Sequence, residues 1–228
     1  MYRPSKQELI RFSANCKGDK IFTAHARLLQ SKWREKKGYP KGMSNRGNCY
    51  GNYVESEYAL KHKVNFLTDN IKSFVKEQLP KLAKTPVFHT KRFFTNLLSS
   101  QPLCFNIFCE LKDHLEIATK IFIELFPELN IGKITKIEFE YSLGRRDKKF
   151  THDNTAFDVF IEYLKENTGK KSFLGIEVKY TESLNEGKQK KIDKWDKPRY
   201  EELTRKSKIE LFGNLKFPNN FRLKTQNA

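Results

Sequence analysis

The chain has 228 residues, with 44 Lys and Arg against 27 Asp and Glu, for a formal net charge of +17. At 38% hydrophobic and 13% aromatic, with 19 Phe, it carries enough apolar material for a buried core, which excludes a wholly disordered basic tail. The positive excess leaves the fold open but puts polyanions first among partners, ahead of membrane surfaces and acidic small molecules.

No stretch approaches the ~18 uninterrupted apolar residues of a membrane-spanning helix, and the opening MYRPSKQELIRF lacks the apolar centre of a secretion signal. Cys16, Cys49, Cys104 and Cys109 form no CxxC pair and have no His at zinc-finger spacing. Ordinary thiols in a reducing, cytoplasmic setting are expected.

In chain order, AHARLLQSKWREKKG predicts a helix stopped by Gly38, and KGYPKGMSNRGNCYGN predicts a loop. Between residues 55 and 82 the spacing of Tyr58, Val64, Phe66, Leu67, Ile71, Phe74, Val75 and Leu79 predicts one or two amphipathic helices. Pro80 and Pro86 punctuate the chain at the end of that stretch. A further helix is expected to start near Pro102, after Ser99 and Ser100, because proline suits a first turn. Residues 114–125 repeat apolar side chains at helical spacing and end at Pro127. Residues 1–90 are read as a basic, mainly helical region, and 91–228 as the core.

The pattern changes at Ile134. ITKIEFEYS alternates with the period of a half-buried strand. Beyond the charged stretch GRRDKKFTHDN, TAFDVFIEYL is a second strand rich in β-branched and aromatic residues. ENTGKK turns the chain, and SFLGIEVKYTE is a third strand. A helix at 197–207 and a short strand at 209–215 are expected after it. The fold class is α/β: a three-strand antiparallel meander flanked by helices, behind an N-terminal helical extension.

Side chains alternate across a strand, so residues two apart share a face. Phe157, Val159, Ile161 and Tyr163 are expected on one face of the second strand, with Asp158 and Glu162 on the other. In the third, Glu177 and Lys179 point together away from Leu174, Ile176, Val178 and Tyr180. In the first, Glu138 and Glu140 lie opposite Ile137, Phe139 and Tyr141. Solvated charge on a half-exposed sheet accounts for any one of these. Two features favour a site instead. Asp158 interrupts an apolar strand although Asp is a poor strand residue, and Gly175 would admit a ligand or another backbone close to Glu177. Asp158 and Glu177 offer hard oxygen donors suited to Mg²⁺, with Mn²⁺ as a substitute. Such an ion polarises a phosphodiester and helps ionise water. Lys179 would stabilise the charge developing around phosphorus or position the nucleophile.

Asp158, with Glu177-Val178-Lys179 beginning 19 residues later, resembles the D…(D/E)xK signature of the PD-(D/E)XK nuclease superfamily, whose fold is restriction-endonuclease-like. The stretches LLSSQPLCFNIF, IEFEYSLGRRDKKFTHDNTAFDVFIEY and FLGIEVKY are similar to a bacterial branch of that superfamily, over roughly residues 91–207. The resemblance implies a metal-dependent phosphodiesterase acting on DNA, an endonuclease ahead of an exonuclease. Asp158 and Glu177 would be its metal ligands and Lys179 its catalytic lysine. It also implies a further carboxylate, for which Glu140 ranks ahead of Glu138 and Glu116. Two departures stand out: Phe157 occupies the place of the motif's proline, and FPNNFRLKTQNA ends the chain without a clear final helix. A shortened member is expected.

Arg145, Arg146, Lys148 and Lys149 form a basic loop leading to the proposed site and suited to backbone phosphates. KQKKIDKWDK, with Trp195, is a second basic run. His152 and Asp153 are read as loop residues, Cys104 and Phe105 as core, and Gln101 and Asn106 as open to either role. No Ser–His spacing supports a nucleophile–base pair. The expected partner is nucleic acid, DNA first, with no membrane and with a homodimer left open. The alternative is a non-catalytic nucleic-acid-binding protein that keeps the fold. An RNA-associated basic protein comes third, because carboxylates on a binding face oppose a polyanion.

Overall fold

The structure, a computed structural model, describes residues 3–83, 88–142, 144, 145, 147, 149 and 156–181. Arg146, Lys148, His152, Asp153, the run around Trp195, and the helix and strand expected at 197–207 and 209–215 lie outside the described residues. Among those described, seven helices precede three strands. The helices are α1 (Lys6–Arg11), α2 (Ile21–Lys36), α3 (Ser56–His62), α4 (Asp69–Leu82), α5 (Thr90–Thr95), α6 (Ser100–Asp113) and α7 (Leu115–Leu125). The strands are β1 (Ile131–Tyr141), β2 (Phe157–Lys165) and β3 (Lys171–Ile176).

Local chemistry sets many of these boundaries. Helix α2 stops where Gly38 turns left-handed at φ +68°. The amphipathic stretch between 55 and 82 divides into two helices. Lys63, at φ 49°, closes α3, and the Thr68 hydroxyl accepts the Ile71 N–H at 3.2 Å to open α4. Pro102 falls in the first turn of α6, as expected.

The strands form an antiparallel sheet in the order β1-β2-β3. Its inner face packs on α6 and α7. Phe105 of α6 stacks on Phe139 of β1 with centroids 4.6 Å apart and planes 9° apart, and Phe74 of α4 sits 5.4 Å from Phe139. One apolar cluster runs from Val54 and Ile71 through Phe93 and Phe105 to Ile134, Val159 and Val178. Helices α3 to α5 therefore share their core with the sheet.

Strand β1 starts at Ile131, earlier than the alternation predicts, and it does not alternate strictly. Its buried residues are Ile131, Ile134, Ile137 and Phe139, so two steps span three residues. Each of these steps coincides with a shift in register against β2. Bulges of this kind add twist and re-aim the side chains beyond them.

The outer face carries an aromatic layer of its own. Phe160 lies 4.3 Å from Tyr141, 5.3 Å from Phe173 and 6.4 Å from Phe157 between ring centroids. Phe157 was expected on the core face but belongs to this layer, 6.2 Å from Phe173. The role of Gly175 changes with it. A Cβ at Gly175 would sit 2.2 Å from Cε1 of Phe157, so the glycine makes room for that ring rather than for a ligand. Gly175→Ala is expected to lower stability by about 1–3 kcal/mol through overpacking. Urea unfolding checks this, and an unchanged midpoint would mean that the ring is not confined.

Candidate active site

The sheet register builds the site. Phe139 pairs with Val159 and Tyr141 with Phe157, which leaves Glu140 and Asp158 opposite each other across β1 and β2. On the other side Val159 pairs with Ile176, so one step further Asp158 comes level with Glu177. Three carboxylates thus lie abreast at one end of the sheet, with Asp158 in the middle.

Glu177 and Lys179 were expected within the third strand, but β3 ends at Ile176. The side chain of Asp158 supplies the reason. Its Oδ2 accepts the Val178 N–H at 2.6 Å, replacing a ladder bond with a charge-assisted one. Val178 buries its side chain in the core. Lys179 Nζ is ion-paired with Glu177 Oε1. The hydroxyl of Tyr180 accepts from Gln30 Nε2 of α2 at 3.1 Å, and its ring meets Phe22 edge-on at 6.5 Å. Residues 177–180 are therefore held by Asp158, by the core and by α2. The contribution of Gln30 and Phe22 carries no sequence signal, since both read as ordinary residues of an amphipathic helix.

Glu140 reaches the row by a backbone irregularity. Its φ of 50° is left-handed, which is uncommon for a residue other than glycine. Face parity groups Glu138 with Glu140, but the structure separates them. Glu138 stays with the outer-face Lys136 at 3.1 Å, while Glu140 is half-buried beside Asp158 and Glu177. Burial first, then the negative charge of Asp158 and, more weakly, Glu177, raise the Glu140 carboxyl to about 7, against the opposing pull of Arg145. Below the row lies Cys104 of α6, with Sγ 3.6 Å from the carbonyl oxygen of Asp158. Its thiol is pushed well up by burial and by the charges of Asp158, Glu140 and Glu177. Cys104 and Phe105 are core residues, as expected.

Other expected site residues fall elsewhere. Glu162, grouped by parity with Asp158, instead accepts from Thr135 at 2.9 Å and pairs with Lys171 at 3.4 Å. Glu116 is exposed on α7 beside His114, and it is not among the charges that act on Glu140. Asn106 is structural, accepting the Leu67 N–H at 3.1 Å and donating to the Asn65 carbonyl at 2.9 Å. Arg145 acts on Glu140 and has a buried Nε without a hydrogen-bond partner among the described residues. Lys149 is exposed.

The donor set suits a hard divalent cation. Carboxylates abreast repel one another, and a cation between them relieves that repulsion. Among the described residues no three His, Cys, Asp or Glu side chains already converge into a cage. No helix among the described residues is long and apolar enough to cross a membrane.

A family model for the PD-(D/E)XK nuclease superfamily matches residues 17–223. The match reaches beyond residues 91–207 and takes in α2 through α5. No curated protein and no solved structure matches the chain.

Proposed function

The chain belongs to the PD-(D/E)XK nuclease superfamily, and from that membership we propose that it is an Mg²⁺-dependent endonuclease hydrolysing DNA phosphodiester bonds. The observation that carries this reading is the row Glu140, Asp158 and Glu177, with Lys179 paired at its end, in a chain of net charge +17. The surface charge draws in the polyanion, and the row gives the acidic spot where its backbone is cut.

Asp158 and Glu177 would hold the ion, with Mn²⁺ as a substitute. When bound, it supplies polarisation of the phosphodiester and a more acidic water. Asp158 has a second task in this reading. By capping the Val178 N–H it fixes the segment that carries Glu177 and Lys179. Lys179 offers its ammonium to the non-bridging oxygens as negative charge grows there. Glu140, raised to about 7 by burial and by Asp158 and Glu177 before an ion binds, is proposed to accept the proton of the attacking water. With a cation held by Asp158 and Glu177, their charge would be offset and Glu140 drawn toward its basic, ionised form. Arg145, Arg146, Lys148 and Lys149 are proposed to contact backbone phosphates.

Covalently closed plasmid DNA tests the proposal, because only an endonuclease can open it. The full chain is expected to nick it with Mg²⁺ and not with EDTA. Lys179→Ala is expected to slow nicking by about 10²–10³-fold, the usual loss when a group stabilising developing charge is removed. Nicking at the wild-type rate by Lys179→Ala, or nicking that persists in EDTA, would overturn the assignment.

A further inference from the structure

The stretch between α2 and α3 reads as a loop in sequence, but it is a built finger. Arg34 of α2 is buried, and its guanidinium donates to both feet of the excursion. Nε reaches the Gly51 carbonyl at 2.7 Å, and Nη1 reaches the Tyr39 carbonyl at 2.5 Å. Above this clamp the neck is laced across. Gly42 N–H donates to Tyr53 O and Glu55 N–H to Pro40 O, each at 2.9 Å, and Lys41 forms an antiparallel bridge with Val54. Gly42 lies too close to the opposite side, and Gly51 too close to Phe12 and Ser31, for other residues. A Cβ on Gly42 would lie 2.2 Å from Val54 O, and one on Gly51 would lie 2.1 Å from Phe12 O. Next to the neck, Asn52 accepts from Arg27 at 2.6 Å and donates to Asn96 at 2.8 Å, while Arg27 is paired with Asp19 at 2.7 Å.

The tip is ordered as well. Ser44 N–H donates to Asn48 O at 2.9 Å, and the Ser44 hydroxyl accepts the N–H of Arg46 at 3.3 Å and of Asn48 at 3.1 Å. The backbone polar groups are thus served locally, while Asn45, Arg46 and Asn48 project into solvent. Their side chains make no hydrogen bond or ion pair among the described residues. From Lys36 to Val54 the sequence has four cations, Lys36, Lys37, Lys41 and Arg46, and no Asp or Glu. Two buried arginines and two steric glycines hold rigid a tip that contributes nothing to the core. Fixing a backbone this way matters when the side chains it displays must meet a partner in a set geometry.

We propose that this finger enters the major groove of duplex DNA, with Asn45, Arg46 and Asn48 at base edges and Lys36 and Lys37 on flanking phosphates. The inference rests on the reading of DNA as substrate and adds to it an element of sequence recognition away from the carboxylate row. The chemistry matches on each count. The major groove, about 12 Å wide, admits a two-stranded ribbon. Arg pairs bidentately with guanine O6 and N7, and Asn with adenine N6 and N7. Lysines serve phosphates as point charges.

Binding of the full chain to a labelled duplex in EDTA, across a salt series, tests this without requiring cleavage. Lys36→Ala with Lys37→Ala is expected to reduce the slope of log Kd against log salt by about 2, one counterion per phosphate contact. Arg46→Ala is expected to weaken binding about tenfold. A duplex with 7-deazaguanine in place of every guanine lacks N7 and distinguishes the groove from the backbone. It should bind the wild type more weakly and Arg46→Ala no more weakly than ordinary DNA does. Thermal unfolding of each variant should match wild type, since these side chains stand in solvent. Wild-type affinity and slope in both variants would overturn the proposal. So would indifference of the wild type to 7-deazaguanine, even if the slope changes. If the finger effects appear but Mg²⁺ never supports nicking, the nuclease reading falls and the finger stands.

Discussion

An Asp158→Asn protein is expected to fold normally and to lose DNA cleavage by at least about a hundredfold, the scale on which removal of a single charge-stabilising group acts. The two tasks of Asp158 separate in this variant. Asparagine keeps an oxygen that can accept the Val178 N–H, so residues 177–180 stay in place. It lacks the negative charge that a divalent ion needs. Asp158→Ala removes both and leaves a partly buried N–H without its acceptor, with a stability loss of about 1–3 kcal/mol. Comparing the two by nicking rate and by urea unfolding separates chemistry from structure. Asp158→Asn should be inactive but stable, and Asp158→Ala inactive and weakened. Wild-type nicking by the Asn variant would remove Asp158 from the chemistry.

Glu140→Gln is expected to stabilise the metal-free protein above neutral pH. Folding raises this carboxyl from 4.5 to about 7. Between those values the folded protein holds a proton that the unfolded chain has released, so stability falls as pH rises through the window. Below about pH 4.5 both states are protonated and the contribution is fully present; above about pH 7 it is lost. A shift of this size corresponds to about 3 kcal/mol. Glutamine cannot ionise, so the variant should show a flatter profile and a gain of that order at pH 8 in EDTA. Urea titrations at pH 4, 6 and 8 measure it. Parallel wild-type and variant curves would mean that Glu140 is not held neutral by its neighbours. The same substitution should slow cleavage, since Glu140 is the group proposed to take the proton of the attacking water.

The site and its surroundings differ in how far they can be read from sequence. Asp158 and Glu177-Val178-Lys179 stand out because a carboxylate inside an apolar strand is unusual and the pair brackets a turn of the right length. The meander is legible for the same reason, since β2 and most of β3 follow a period of two. Parity fails where the backbone departs from that period. The left-handed backbone of Glu140 leaves no mark in a hydrophobicity pattern, so Glu138 and Glu140 read as neighbours although the structure separates them. Phe157 reads as core because an aromatic residue in a strand looks the same whichever apolar side receives it. The finger is hidden for a related reason. Arg27 and Arg34 lie in a helix crowded with charge, and only three-dimensional packing distinguishes the two that are buried. In composition, Gly42 and Gly51 look like the glycines of any loop, although each marks a close approach of backbones.

The hydrogen bond between Gln30 and Tyr180 joins residues 150 positions apart. Such contacts require loop-closure entropy to be met before they form, and non-local contacts slow folding. The segment bearing Glu177 and Lys179 is pinned by that contact on one side and by Asp158 on the other. The row is therefore expected to assemble after the helices and the first two strands have found each other. A chain caught before that point already displays its positive charge and can hold on to a polyanion. It does not yet have the carboxylates in register, so the positive charge is on display earlier in the life of the molecule than the row.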